Sequence, residues 1–235
     1  MPSYMELLNQ LGMSHAHPGG KTATSKWMEL ISVTNKKNIL EVGCGIGETL
    51  LTIHEKSKAN ITGIDINQQM IKKAQQKTEA IPAVHVLKAD AETLPFENEQ
   101  FDLVICESVL AFTNLANSLK EVSRVLMKNG TVVLLEMAAN PKLDNLDKTI
   151  IQNFYDIPQL FTRFEWLKYL LDTGFNKVMI QKVCKHNEDS LPENKQIQWT
   201  DQMLETLGKH YQLNQQYGDS LHACLFIASK ARDDK

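Results

Sequence analysis

One turn constrains this chain more than any other stretch. In Leu40-Glu41-Val42-Gly43-Cys44-Gly45-Ile46-Gly47-Glu48, three glycines at alternate positions follow an apolar run. Glycine reaches backbone conformations with positive φ and lets another group approach the main chain closely. A buried strand, a glycine-rich turn and a helix together make the ligand-binding corner of an α/β sheet. There a ligand lies beyond the carboxyl ends of the strands, where the strand order reverses. Free amides at the start of the following helix suit an anionic group.

The neighbouring sequence fits such a corner. Asn38–Val42, Ile61–Asp65, Val84–Lys88, Phe101–Cys106 and Thr131–Met137 read as strands. Between them lie helical patterns: Gly47–Lys56, a segment N-capped by Asn67 and running to Lys77, and a segment with Leu119, Val122 and Leu126 on one face, ended by Asn129-Gly130. Strands alternating with helices predict a mainly parallel sheet covered on both faces.

The flanks read differently. Tyr4, Leu7, Leu8 and Leu11 have helical spacing, and Ser3 with Glu6 fits a capping box. Ser14-His15-Ala16-His17-Pro18-Gly19-Gly20 breaks the chain before a second short helix carrying Trp27, Leu30 and Ile31. After Met137 the pattern loosens, and Ala138–Leu160 mixes turn residues with apolar ones. Thr162 and Glu165 open a helix that Gly174 stops, and Lys177–Val183 reads as a strand. Lys185–Gln196 is a polar loop, Thr200–Tyr211 a helix weakened by Gly208, and Leu221–Ala228 a last strand. We therefore expect a single domain over residues 1–235, with a helical cap at 1–34 and cap insertions at 138–160 and 184–217.

Composition narrows the function classes. A net charge of −3 argues against a basic nucleic-acid-binding face. No run of about 18 apolar residues occurs, so no membrane span is expected. The four cysteines form no CxxC pair and read as buried reduced thiols of a cytoplasmic protein. No Cys/His group has zinc spacing, and no metal is expected.

The turn does not suit a dinucleotide. Counted from Gly43, G-x-G-x-x-G puts Glu48 at the third glycine, and counted from Gly45 it puts Leu50 there. Glu41, two residues before the first glycine, is a poor neighbour for a pyrophosphate and a good one for a cationic ligand. Asp65, ending the second strand, can accept both hydroxyls of a ribose, each hydrogen bond to a charged group being worth about 1.5–3 kcal/mol. Asp90, after the third strand, can reach an exocyclic amine of adenine.

Together "LEVGCGIGETLL", "GIDINQQMIKKAQ", "LKADAETLPFENEQFDLVICESVLAF" and "LKEVSRVLMKNGTVVLLE" resemble the class I S-adenosylmethionine-dependent methyltransferases, within them the small-molecule type 11 or ubiquinone/menaquinone-like group. The resemblance implies an α/β, Rossmann-like seven-stranded sheet with helices on both faces, mostly parallel with an antiparallel last strand. It implies that Glu41 and the Gly43-Cys44-Gly45 backbone meet the methionine part of S-adenosylmethionine and that Asp65 holds the ribose. Ile66 and Met70 would pack near the adenine, with Asp90 and Ala91 at its edge, and Glu107 would sit near the methyl group.

The reaction implied is an in-line methyl displacement onto a small-molecule acceptor, leaving S-adenosylhomocysteine. His17 and Glu107 are the candidate catalytic groups; "HPGG" stretches like His17–Gly20 precede the first strand in related methyltransferases. His15, His17, Glu136, Asn140, Tyr155 and His222 are the candidates for the substrate side. Cys106-Glu107-Ser108-Val109 is unlike the Asn/Asp-Pro-Pro-aromatic stretch of methyltransferases acting on base amines. Two other readings stand beside this one: a protein that binds S-adenosylmethionine or S-adenosylhomocysteine without catalysis, and an NAD-dependent oxidoreductase, which Glu41 and Glu48 disfavour.

Overall fold

The computed structural model describes residues 3–11, 17–185 and 198–230. In chain order its elements are α1 (Tyr4–Leu11), α2 (Gly20–Leu30), β1 (Asn38–Val42), α3 (Glu48–Lys56), β2 (Asn60–Asp65), α4 (Gln68–Thr78), β3 (Val84–Lys88) and β4 (Phe101–Glu107). There follow α5 (Leu115–Val125), β5 (Leu126–Ala139), α6 (Asn145–Tyr155), α7 (Arg163–Asp172), β6 (Phe175–Lys185), α8 (Asp201–Tyr217) and β7 (Leu221–Lys230).

The strands form one seven-stranded sheet in the order β3-β2-β1-β4-β5-β7-β6. β1 to β5 pair in parallel, and β7 runs antiparallel between β5 and β6, as the resemblance implied. The chain moves outward from β1 through β3 and then returns to β4 beside β1, so the reversal lies between β1 and β4. Alternate strand residues feed two cores. Ile39, Leu103 and Val133 pack with Trp27, Leu50, Ile53 and Ile71 of α2, α3 and α4. Leu40, Val104 and Val132 pack with Leu119, Val122 and Trp166 of α5 and α7.

Local signals set the helix starts near the turn. The Asn67 side chain accepts the amides of Gln69 and Met70 and starts α4. Ser3 and Glu6 form the reciprocal box of α1, and Thr162 and Glu165 that of α7.

Four expectations change. Leu126 does not continue α5; it pairs with Phe101 as the first residue of β5, and the ladder resumes at Leu103 with Thr131. The residues between bulge out around Asn129, at φ 63°. Leu126 still packs with Leu119 and Val122, because the sheet buries it on the face the helix would have used. The loosely patterned 138–160 stretch contains α6, started by Asp144. Gly208 does not weaken α8 into a short helix: α8 continues to Tyr217, with His210, Asn214 and Tyr217 buried. β6 and β7 also extend beyond 177–183 and 221–228. No described helix is long and apolar enough to cross a membrane.

Candidate functional site

The glycine turn lies at the strand-order reversal, and its glycines do different work. Gly43 has φ +75°, and a Cβ there would fall 2.0 Å from Cγ2 of Val109, in the segment that follows β4. Gly45 has φ +51°, and a Cβ there would meet nothing within 4 Å, so its face is open. The turn's amides are largely consumed within the protein. Gly43 and Cys44 donate to the Ile64 carbonyl at 2.7 and 2.8 Å, and Gly47 donates to that of Cys44 at 2.9 Å. Gly45 donates to Oδ2 of Asp65 at 3.0 Å. A bridging phosphate would find few donors here; the first turn of α3, whose N-cap Gly47 offers no side-chain acceptor, keeps its own.

A cavity of about 380 Å³ opens above the turn. Its lining includes Glu41, Gly43, Cys44, Gly45, Asp65, Ile66, Met70 and Glu107 from the expected set, with His17 from the cap. The lining is acidic. Glu41 is buried, and its carboxyl is pushed well above the usual range by burial and then by Glu107. Its Oε2 has no hydrogen-bond partner. Asp65 is half-buried and also raised, chiefly by burial, while the Asn67 and Gly45 amides pull the other way. Glu48, at the rim, pairs with Lys77. An unpartnered carboxylate oxygen beside further carboxylates fits a ligand bearing positive charge and hydroxyl groups. The Cys44 thiol is pushed far up by burial, which removes it as a nucleophile.

Glu107 ends β4 at the cavity wall and is fully engaged. Its Oε1 accepts from Thr24 Oγ1 at 2.7 Å and Trp27 Nε1 at 2.9 Å, and its Oε2 from Thr49 Oγ1 at 3.0 Å. His17 Nε2 lies 3.1 Å from Thr24 Oγ1 and 3.8 Å from Glu107 Oε2. One carboxylate thus ties α2, α3 and β4 together and carries the imidazole on its edge. Thr24, Trp27 and Thr49 carry no sequence signal for this role, because they meet Glu107 only in the folded chain.

A second, smaller cavity of about 60 Å³ adjoins the first. Met5, Leu8, His17, Ser108 and Phe112 line both. Tyr4, Met137, Tyr155 and Ile157 complete its mostly apolar wall. Tyr4 stacks on His210 of α8, with ring centroids 4.5 Å apart, and the Tyr155 hydroxyl lies 3.0 Å from His210 Nδ1.

The other described candidates lie outside both linings. Asp90 is exposed and accepts the Glu92 amide at 2.9 Å, and Ala91 is buried beside it. Glu136 is fully buried below the segment after β4. Asn140 accepts the Lys142 amide at 3.0 Å, and His222 Nε2 lies 3.2 Å from Lys182 Nζ across the β6–β7 pair. His15 lies outside the described residues.

The chain is similar to methyltransferases in sequence and in fold. A family described as "Methyltransferase domain" matches residues 40–134. The chain is 32% identical to the uncharacterized methyltransferase YodH of Bacillus subtilis, over 98% of this chain and 100% of that protein. It is 26% identical to a demethylmenaquinone methyltransferase of Staphylococcus epidermidis, over 66% of this chain and 74% of that protein. Its fold matches phosphoethanolamine N-methyltransferase 2 of Haemonchus contortus in complex with S-adenosyl-L-methionine, with a TM-score of 0.78 at 16% identity, covering 97% of this chain and 57% of that one.

Proposed function

We propose an acceptor from one premise: the chain belongs to the class I S-adenosylmethionine-dependent methyltransferases, in their type 11 group. The acceptor is a small, largely apolar molecule that presents an ionisable nucleophile to His17. One observation carries this reading, the smaller cavity that shares Met5, Leu8, His17, Ser108 and Phe112 with the cofactor cleft. Its size and apolar wall favour a compact acceptor over a polymer.

When bound, S-adenosylmethionine supplies a methyl group already activated on a sulfonium sulfur. Glu41 would face its positive charge, Asp65 its ribose hydroxyls, and Ile66 and Met70 its adenine. The first-turn amides of α3 would take its carboxylate. The chain's own task is then alignment and exclusion of water, and proximity and orientation can supply about 7–11 kcal/mol. In this reading His17 removes the acceptor's proton. Glu107, 3.8 Å away, stabilises the resulting imidazolium, and Thr24 links the two. A methyl donor that is already activated needs no metal, and turnover surviving a chelator is the expected result. The setting is the cytoplasm, where the buried thiols of Cys44, Cys106 and Cys224 stay reduced.

Thermal shifts with S-adenosylmethionine, S-adenosylhomocysteine and NAD at matched concentrations test the cleft. A ligand at 100 times its Kd adds about 2.7 kcal/mol to stability. Both adenosyl compounds should stabilise, and transfer of labelled methyl to small phenols, enols or thiols should follow. Stabilisation by NAD alone would overturn the reading.

A further inference from the structure

Glu136 reaches neither cavity, yet it lies beneath the wall between them. It stands near the end of β5 and is fully buried. Its Oε1 accepts the backbone amides of Val109 at 3.1 Å and Leu110 at 2.9 Å. Those amides belong to the segment that turns away from β4 and forms one short helical turn at Leu110–Phe112. Ser108 enters that turn at φ +57°, a left-handed conformation that a side-chain-bearing residue adopts at a cost. From the segment, Ser108, Val109 and Phe112 line the large cavity, and Ser108, Ala111 and Phe112 line the small one. The Val109 side chain also occupies the space beside Gly43 of the cofactor turn.

We propose that Glu136 is a positioning residue for methyl transfer, anchoring the Ser108–Phe112 segment by its backbone amides so that Val109 seats the Gly43 turn and Phe112 walls the acceptor. The inference rests on the cofactor cleft assigned above. The chain of contact is short and physical. A carboxyl oxygen gathers successive amides, the amides fix a strained turn, and the turn presses one methyl group against a glycine that has no Cβ. A buried carboxylate is costly unless it is hydrogen-bonded, so its presence in an otherwise apolar layer calls for a task. Burial pushes Glu136 up to about 8, and the Leu110 and Val109 amides that it accepts pull against that shift. Its Oε2 has no hydrogen-bond partner. Glutamine can therefore keep the accepting oxygen and place its amide nitrogen where Oε2 now stands.

Two substitutions separate anchoring from bulk. Glu136→Met fills the space without accepting a hydrogen bond, whereas Glu136→Gln keeps the acceptor. Hydrogen exchange at residues 109–111 and calorimetric binding of S-adenosylhomocysteine are read on each. In Glu136→Met the Val109 and Leu110 amides should exchange at least tenfold faster, and the Kd should rise about tenfold. Glu136→Gln should restore both to within about threefold of the parent. Unchanged exchange in Glu136→Met would overturn the anchor. Faster exchange with unchanged Kd would overturn the positioning role, and equal losses in both variants would mean that charge rather than anchoring is at work. If Glu136→Met does not fold, Val109→Ala tests the second contact. It should weaken S-adenosylhomocysteine several-fold while Leu110 exchange stays as in the parent, and an unchanged Kd would remove the contact with Gly43. A parent protein that does not bind S-adenosylhomocysteine while the exchange result holds would sink the cofactor assignment and leave only a structural anchor.

Discussion

Asp65 lines the large cavity and Tyr4 the smaller one beside it, and the two are held by different means. Asp65 is held by the amides of Gly45 and Asn67, from the turns that follow β1 and β2. Tyr4 is held by a ring 206 residues away in sequence, His210 of α8. The floor of the site is thus backbone caught at the ends of parallel strands. The roof is a set of side chains from α1, from α6 and from the His17-Pro18 stretch before α2, backed by His210 of α8. A floor of this kind is fixed by backbone hydrogen bonds, and it suits a cofactor that is always the same. A roof joined by side-chain contacts between distant stretches of chain is the part whose opening hydrogen exchange tests. It suits an acceptor that must enter and leave.

His17 is the roof residue to which the proposed mechanism gives chemistry, so His17→Ala breaks the comparison most sharply. If the imidazole takes the acceptor's proton, turnover should fall roughly 10²–10⁴-fold. Binding of S-adenosylhomocysteine should hardly change. Single-turnover methyl transfer and calorimetry on the same preparation measure the two, and equal losses would move His17 from the acceptor to the cofactor.

Glu107→Ala cuts the tie between roof and floor. It leaves the donors of Thr24, Trp27 and Thr49 without their carboxylate, and each buried orphan costs about 1–3 kcal/mol. Denaturant unfolding should show a loss of about 3 kcal/mol or more. A near-neutral result would mean that α2 is held by packing alone.

Asp65→Ala acts on the floor. S-adenosylhomocysteine binding should weaken by about 1.5–3 kcal/mol in calorimetry. An unchanged Kd would remove Asp65 from the ribose.

Glu41 adds a smaller effect of known sign. Its carboxyl is raised in the free protein, and a cation placed against it favours the ionised form. Binding of S-adenosylmethionine near neutral pH should therefore release protons, and affinity should rise with pH until Glu41 is ionised in the free protein as well. Calorimetry in two buffers of different ionisation enthalpy counts the protons, and Glu41→Gln should abolish the part that Glu41 contributes.

The same division explains what could be read in the sequence. The floor was legible because its signals are local: the alternate glycines, Asp65 at a strand end, and Asn67 as a cap. The Ser3–Glu6 and Thr162–Glu165 boxes were legible for the same reason. The roof hid its helix. Of the apolar residues in α6, Leu146 is 71% exposed while Ile151 and Tyr155 are buried, so no single face announces the periodicity. Leu126 misled because helix and sheet would bury it on the same side. Glu107 was expected just beyond the fourth strand and is the last residue of β4, but the donors that occupy it come from residues 58 to 83 positions away. Spacing along a chain carries no record of such a convergence.

Tyr155→Phe asks how lightly the roof is fastened. The substitution removes the hydroxyl that lies 3.0 Å from His210 Nδ1 and keeps the ring in edge contact with Tyr4 and His210. Asn214 Nδ2, 3.0 Å from His210 Nε2, still orients the imidazole. The loss of global stability should therefore be small, about 0.5–1.5 kcal/mol. The local consequence should be larger than the global one, because α1 meets α6 and α8 through these same rings. Hydrogen exchange should quicken in α1 and leave β1 and β4 as they were. If both regions loosen together, roof and floor are one cooperative unit, and acceptor entry needs another route than the lifting of α1.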